Sequence, residues 1–105
     1  MNQLSDTQSR LAIWQNNNFP TRDKSRQLLQ VALGVAEESG ELCHAVLKRD
    51  QGIRGTYSEN TDKIKDAIGD IAIFCMQICS AEGWEFEQVI LDTAEQVMKR
   101  KWSAK

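Results

Sequence analysis

The amino-acid sequence predicts an all-α protein whose four helices form a bundle that is completed by oligomerisation. The chain has 105 residues and a single proline. It has few alternating β-branched runs, and its apolar residues recur at helical spacing. A short chain with such apolar helices is expected to bury its excess apolar surface against other copies. The length is that of one domain, so we expect residues 1–105 to fold as a single unit.

Composition and charge narrow the classes of partner. The net charge of −2 gives no global basic field for nucleic acid. No apolar run reaches the roughly 18 residues that span a bilayer, and the segment MNQLSDTQSR has no signal-peptide core. We therefore expect a cytoplasmic protein with neither nucleic acid nor membrane as partner. The three cysteines match no metal or redox spacing, and we expect all of them to be reduced core residues: Cys43, Cys75 and Cys79.

The first two helices are separated by a break at Pro20. The first is predicted over Ser5–Asn17, with Ser5 as its N-cap, and the segment NNNFP ends it. The second begins near Asp23 or Ser25 and continues to about residue 49. It contains two glycines, which predict close packing at these positions: Gly34 and Gly40.

The third and fourth helices follow the longest predicted loop, residues 50–60. The third helix is expected to start near Asn60 or Thr61 and to end near Glu82, with residues 71–79 buried nearly all round. The segment EGW separates it from the fourth helix, predicted over residues 85–101. Five apolar residues of this last helix are expected to face inward: Phe86, Val89, Ile90, Val97 and Met98.

Acidic residues interrupt the apolar parts of the second and third helices. Glu37, Glu38 and Glu41 lie in mid-helix, three or four residues apart, and therefore share one face. Asp66 and Asp70 share a face of the next helix. Burying carboxylates without partners is costly, and charges in mid-helix do not complement a helix dipole. A divalent cation held by oxygen ligands from both helices accounts for the cluster, and Mg²⁺ or Mn²⁺ suits such ligands.

Two other interpretations of the acidic residues compete with this one. The first is a solvated acidic face, which is common on helices. The second is a di-iron centre, because Glu41 and His44 form a Glu-x-x-His pair. That architecture needs two such pairs, and the chain has no second histidine. We therefore favour a hard, redox-inert cation.

A magnesium site made of oxygen ligands usually serves phosphate chemistry, because the ion also binds phosphate oxygens. The chain has no P-loop motif. Basic residues in and around the predicted long loop are candidates for neutralising a polyphosphate: Lys48, Arg49, Arg54, Lys63 and Lys65.

The acidic motifs resemble those of a known family. The segment EESGE, residues 37–41, resembles the Glu-Glu-x-x-Glu motif of the MazG-like nucleoside triphosphate pyrophosphohydrolases, an all-α superfamily that also includes dimeric dUTPases. The segment DAIGDIAIFCMQI occupies the place of the family's second motif, Glu-x-x-Asp, with Asp70 at the aspartate position. The resemblance extends from AIWQNNNFP to QVMKRKW, nearly the whole chain.

The resemblance implies a function and a set of roles. The expected reaction is Mg²⁺-dependent hydrolysis of nucleoside triphosphates, such as dNTPs or modified NTPs, to the monophosphate and pyrophosphate. Glu38, Glu41 and Asp70 would be metal ligands. Glu37 would be a further ligand or the base that orients the attacking water. The family also implies a homodimer or a dimer of dimers.

The chain departs from the second motif at one position. Where the family has glutamate, three residues before the aspartate, this sequence has Ala67. Asp66 precedes it and shares a face with Asp70, so Asp66 could replace the missing ligand directly or through a water. Alternatively, the site lacks one ligand. The alternative function is then a catalytically weakened helical module that binds nucleotides or a protein partner, and a purely structural oligomer is a third reading.

The end of the first helix offers candidates for a base-binding site. Trp14 could stack on a nucleobase and Asn18 could hydrogen-bond to it, although Trp14 could equally be a core residue. Phe19 is better explained as a core residue.

Overall fold

Helices account for most of the residues that the structure describes. This structure is a computed structural model, and it describes residues 3–21 and 23–102. Within these ranges the chain forms four helices and no strand, which confirms the all-α prediction. The helices are α1 (Gln3–Asn18), α2 (Lys24–Gln51), α3 (Tyr57–Glu82) and α4 (Phe86–Met98). None of them combines the length and the apolar character needed to cross a membrane.

Both ends of α2 are capped, the first by a side chain and the last by a glycine. At the start of α2, the Asp23 carboxylate accepts hydrogen bonds from the backbone N–H groups of Ser25 (3.0 Å) and Arg26 (3.3 Å). Its last residue is followed by Gly52, whose left-handed backbone (φ 70°) favours glycine. The predicted start of the second helix near Asp23 or Ser25 is therefore confirmed.

The start of α3 differs from the prediction. Thr56 and Glu59 form a capping box, in which the Thr56 hydroxyl accepts from the Glu59 N–H (3.0 Å) and the Glu59 carboxylate accepts from the Thr56 N–H (2.8 Å). These bonds lower the pKa of Glu59. The helix therefore begins at Tyr57, before the predicted Asn60, and the long loop shrinks to residues 52–56.

The predicted cap of α1 is wrong. The helix already includes Gln3, so Ser5 lies inside its first turn. Instead of capping, the Ser5 hydroxyl donates a hydrogen bond of 3.0 Å to the carboxylate of Glu85, the N-cap residue of α4. The first turn of α1 is thus linked to the start of the last helix.

The long helices α2 and α3 pack against each other as an antiparallel hairpin. Near the start of α2, Gly34 lies against Phe74; near its end, Arg49 contacts Thr61. A Cβ atom on Gly34 would be 2.6 Å from the Phe74 ring, so the predicted close packing is confirmed there. It is wrong for Gly40, where an added Cβ would meet no packing neighbour within 4 Å.

The helix α1 is joined to the turn between α3 and α4 by a buried glutamine. The Gln8 side-chain amide donates to the Trp84 carbonyl (2.8 Å) and to the Ser80 hydroxyl (3.2 Å). Its carbonyl oxygen accepts from the N–H of Phe86 (2.8 Å). Gln8 therefore satisfies backbone groups at the end of one helix and the start of the next.

The core of a single chain is small. Its buried apolar residues are Val31, Ala45, Ala67, Met76 and Cys79. Residues 71–79 of α3 are buried or half-buried, close to the prediction. The prediction that all three cysteines lie in the core is wrong for Cys43, which is exposed, and Cys75 is half-buried.

The apolar face of α4 is largely uncovered. Phe86 is half-buried, but four residues expected to face inward are exposed in the single chain: Val89, Ile90, Val97 and Met98. The reason is that α4, within the described residues, packs on α1 and α3 and does not reach α2. Periodicity correctly predicted an apolar stripe on α4. The prediction that this stripe faces the core of the single chain is wrong.

The overall dimensions agree with this open arrangement. The accessible surface is 8038 Å², whereas a compact monomer of this mass exposes about 6,000 Å². The radius of gyration is 16.7 Å, against about 13 Å for a compact domain of this length. A single chain thus leaves about 2,000 Å² more surface accessible than a compact monomer does.

Candidate acidic site and adjoining apolar pocket

The antiparallel pairing of α2 and α3 brings the five acidic residues around one cavity. Four residues after Gly34 on α2 comes Glu38, and four residues before Phe74 on α3 comes Asp70, so the two acids face each other. The cavity has a volume of about 380 Å³. It is lined by Glu37, Glu38, Glu41, His44, Ala45, Lys63, Asp66, Ala67 and Asp70.

The carboxylates of this cavity influence one another. Partial burial raises the pKa of Glu38, and the neighbouring charges of Asp70, Glu37 and Glu41 raise it further. A proton shared between the Glu38 and Asp70 carboxyl groups would act in the same direction, because it favours the protonated form of Glu38. Negative charge is therefore crowded in this cavity.

Cations of the described residues do little to compensate this charge. The ion pairs found among them are Arg10–Asp6 and Lys99–Glu95, both exposed and outside the cavity. Lys63 lines the cavity but forms no ion pair of 4 Å or less with another described residue. Among the described side chains, no salt bridge therefore neutralises the acidic residues of the cavity.

The donor set fits a hard divalent cation by its chemistry. All five acids offer carboxylate oxygens, which Mg²⁺ and Mn²⁺ prefer, and a cation would relieve the repulsion that raises the pKa of Glu38. Among the residues the structure describes, no three side chains of His, Cys, Asp or Glu already converge as a metal site. The fit therefore rests on the shared cavity and on the donors.

Ala67 lies in the wall of this acidic cavity. It is 3% exposed, on the inner face of α3. The resemblance expects a glutamate at this position. The neighbouring Asp66 is exposed, yet it also lines the cavity. The chain thus has a carboxylate next to the position where the resemblance expects one.

The predicted phosphate-binding residues are distributed over different places. Lys63 lines the acidic cavity. Lys48 donates a hydrogen bond of 3.0 Å to Gln51 near the end of α2. Arg54 is exposed in the loop, with a left-handed backbone (φ 61°). Lys65 is exposed on α3. Of these four, the structure brings only Lys63 to the acidic residues.

Arg49 is engaged by the start of α3. Its guanidinium lies 4.8 Å from the centre of the Tyr57 ring and donates a hydrogen bond of 3.1 Å to the Thr61 hydroxyl. It lines a separate cavity of about 900 Å³ near the α2–α3 turn, together with Tyr57. The structure thus places Arg49 outside the acidic cavity.

A second, largely apolar pocket adjoins the acidic cavity. Its volume is about 630 Å³, and it shares Glu38 and Asp70 with the acidic cavity. Residues of α1, α2 and α3, together with Phe19, line it: Leu11, Trp14, Gln15, Phe19, Gln30, Val31, Glu38, Asp70, Ile73, Phe74 and Gln77. The acidic residues therefore lie at the edge of an aromatic pocket.

Of the two predicted base-binding residues, the structure places one in this pocket. Trp14 lines it and is half exposed, at 50%. Its ring meets that of Phe19 edge to face, with centroids 5.8 Å apart. Phe19 is also exposed rather than in the core. The Asn18 side chain donates to the Trp14 carbonyl (2.8 Å) and is not part of the pocket wall.

Sequence reasoning missed the polar residues inside this pocket. Gln15 and Gln77 are 7% and 4% exposed, and both line its wall. The Gln77 carbonyl oxygen has no hydrogen-bond partner among the described residues. The sequence did contain an indication of this polar residue, because Gln77 is the one amide in the apolar segment IFCMQIC.

Comparison of the chain with protein-family profiles, with characterised protein sequences and with solved structures finds no match.

Proposed function

We propose that the protein is a magnesium-dependent nucleotide pyrophosphohydrolase, which converts a nucleoside triphosphate into the monophosphate and pyrophosphate. One observation carries the proposal: carboxylates from two facing helices surround a cavity that opens beside an aromatic pocket. The pocket volume lies within the usual range of small-molecule sites, about 300–1,000 Å³. A base in the aromatic pocket would direct the phosphates of the same nucleotide toward the acids.

The acidic residues have distinct roles in this proposal. Glu38, Glu41 and Asp70 hold the cation, with Asp66 as an additional ligand directly or through a water. When bound, Mg²⁺ neutralises phosphate charge and favours attack on phosphorus. Glu37 orients the attacking water and accepts its proton. The water oxygen bonds to phosphorus, the bridge between the α- and β-phosphates breaks, and pyrophosphate leaves with the bridging electrons.

A homodimer or a dimer of dimers is part of the same proposal. It is supported by the exposed apolar face of α4 and by the roughly 2,000 Å² of surface in excess of a compact monomer. Obligate homodimers bury interfaces of about 2,000–5,000 Å² in total. The excess surface of two chains is of this order.

The proposed function is tested by pyrophosphate release. Canonical and modified NTPs and dNTPs are incubated with Mg²⁺, with Mn²⁺ or with EDTA. Glu38→Gln and Glu41→Gln are assayed beside the wild type, and Glu82→Gln, an exposed glutamate outside both cavities, is the matched control. We expect metal-dependent release by the wild type and the control, and none by the two cavity variants. Equal release by all four proteins would refute the assignment.

The second candidate function is a nucleotide-binding module without catalysis. It is favoured by Ala67, which removes a carboxylate from the cavity wall, and by the lack of three converging donors among the described residues. In that case a nucleotide raises the melting temperature of the protein while no substrate in the panel releases pyrophosphate.

A further inference from the structure

Gln77 is a buried amide with an unmet hydrogen-bonding capacity. Its residue is 4% exposed, and its Oε1 atom has no hydrogen-bond partner among the described residues. Native structures retain few such atoms, and each one calls for an explanation. A methionine or leucine at this position in an apolar helix would avoid the unpaired oxygen, so packing alone does not explain the glutamine.

Gln8, one of the two other buried glutamines among the described residues, shows how a glutamine with a structural role is hydrogen bonded. Gln8 is 7% exposed, and its amide makes three hydrogen bonds, to Ser80, Trp84 and Phe86. The Oε1 atom of Gln77 makes no hydrogen bond with any described residue. Its position differs as well, since Gln77 lines the aromatic pocket and Gln8 does not.

The surroundings of Gln77 suit a flat, polar-edged ring. Trp14 and Phe74 offer aromatic surfaces, and Ile73 adds an aliphatic one. A ring bound against them is excluded from water at its faces, so its hydrogen-bonding edge needs a partner from the protein. A carboxamide supplies one acceptor and two donors, and a half-turn about its last bond exchanges them.

We propose that Gln77 is a specificity-determining residue, whose carboxamide pairs with the hydrogen-bonding edge of a nucleobase held in the aromatic pocket. Nucleobases present an N–H donor beside a ring nitrogen or carbonyl acceptor, which is the complement of a carboxamide. Gln77 accepts from the donor and donates to the acceptor. Ligands with a phosphate but no base gain nothing from it. This inference rests on the proposed function, because it assigns the base end of the same substrate.

The test measures base-dependent binding without metal or hydrolysis. The probes are the four canonical deoxynucleoside 5′-monophosphates and 2-deoxyribose 5-phosphate, titrated calorimetrically in EDTA. We expect at least one monophosphate to bind the wild type about ten-fold or more tighter than the sugar phosphate. Gln77→Met should weaken that binding by about ten-fold or more, because a site built to hydrogen-bond a ligand depends strongly on the bond. Its affinity for the sugar phosphate should not change.

A matched pair of variants separates recognition from folding. Gln77→Met removes an unpaired buried amide and should raise the melting temperature, whereas Gln8→Met removes three hydrogen bonds and should lower it. A folded Gln77→Met protein that binds every monophosphate as the wild type does would overturn the proposal, and so would a wild type that binds none better than the sugar phosphate.

The two proposals fail in different ways. Base-dependent binding that requires Gln77, without pyrophosphate release in Mg²⁺, rejects the enzyme and keeps the base site. Pyrophosphate release that is unaffected by Gln77→Met, for every base tested, keeps the enzyme and rejects the role of Gln77.

Discussion

Glu38 and Asp70 face each other across the α2–α3 hairpin and line both the acidic cavity and the aromatic pocket. The charge of Asp70 contributes to raising the pKa of Glu38. A nucleotide whose base is bound in the aromatic pocket would therefore place its phosphates next to this pair. In the metal-free protein the pair is also a place where negative charge opposes folding.

The raised pKa of Glu38 predicts that the stability of the protein depends on pH. Because the pKa of Glu38 is raised above its ordinary 4.5 in the folded protein, the folded state binds the proton more tightly. The stability that this proton contributes is complete below about pH 4.5 and is lost as the pH rises through the folded pKa. Glu38→Gln should therefore melt higher than the wild type at neutral pH in EDTA, with the advantage shrinking in acid.

The control for this prediction is Glu82→Gln, which removes an exposed glutamate from the last turn of α3. Its melting temperature should follow that of the wild type across the pH range. An equal gain in both variants would mean that the effect reflects net charge rather than the pairing of Glu38 with Asp70.

The closest helix contact predicts a pair of opposite glycine effects. A Cβ at position 34 would meet the Phe74 ring at 2.6 Å, so Gly34→Ala should destabilise the protein by about 1–3 kcal/mol. A Cβ at Gly69 would meet no packing neighbour within 4 Å, so Gly69→Ala should stabilise α3 by up to about 1 kcal/mol. Urea unfolding of both variants measures the two changes. A neutral Gly34→Ala would show that the helices do not approach this closely.

Adding a carboxylate at position 67 tests whether the acidic cavity binds a cation. In Ala67→Glu, a carboxylate enters the wall of the acidic cavity at a buried position. In EDTA it should lower the melting temperature, because a buried, unpaired carboxylate is costly. In Mg²⁺ the loss should be recovered and the metal-dependent rise should exceed that of the wild type. A variant that is destabilised equally with and without Mg²⁺ would argue against a cation in this cavity.

The exposed face of α4 predicts self-association. Ile90→Lys and Val97→Lys place charge among its exposed apolar residues and should shift the protein toward the monomer in sedimentation velocity. Gln88→Lys, on a polar part of the same helix, is the control and should sediment as the wild type does. A wild type that is monomeric at micromolar concentration would contradict the oligomer.

The sequence predicted the helices and the pairing of acids because both depend on local spacing. Residues three and four apart share a helix face whatever the fold, so Glu38 could be grouped with Glu41, and Asp66 with Asp70, without a structure. The start of α3 was misplaced because TYSE reads as a polar loop unless its capping box is recognised. That signal was available in the sequence.

Other features depend on tertiary contacts that periodicity does not encode. The stripe of α4 indicated an apolar face, but only the packing of α4 on α1 and α3 shows that this face stays uncovered. Similarly, Gln77 looked like one polar interruption of an apolar run. Only the structure shows that Gln77 lines a pocket formed with residues of α1 and α2. It also shows that the Gln77 carbonyl oxygen has no hydrogen-bond partner among the described residues.

If Glu38 and Asp70 hold a divalent cation between α2 and α3, Mn²⁺ binding followed by electron paramagnetic resonance will detect it. The signal of free Mn²⁺ is lost when the ion binds. Wild type and Asp62→Asn, which removes an exposed aspartate outside the cavity, should sequester Mn²⁺ alike, whereas Asp70→Asn should leave it free. Equal sequestration by Asp70→Asn, or none by the wild type, would show that Glu38 and Asp70 do not hold a cation.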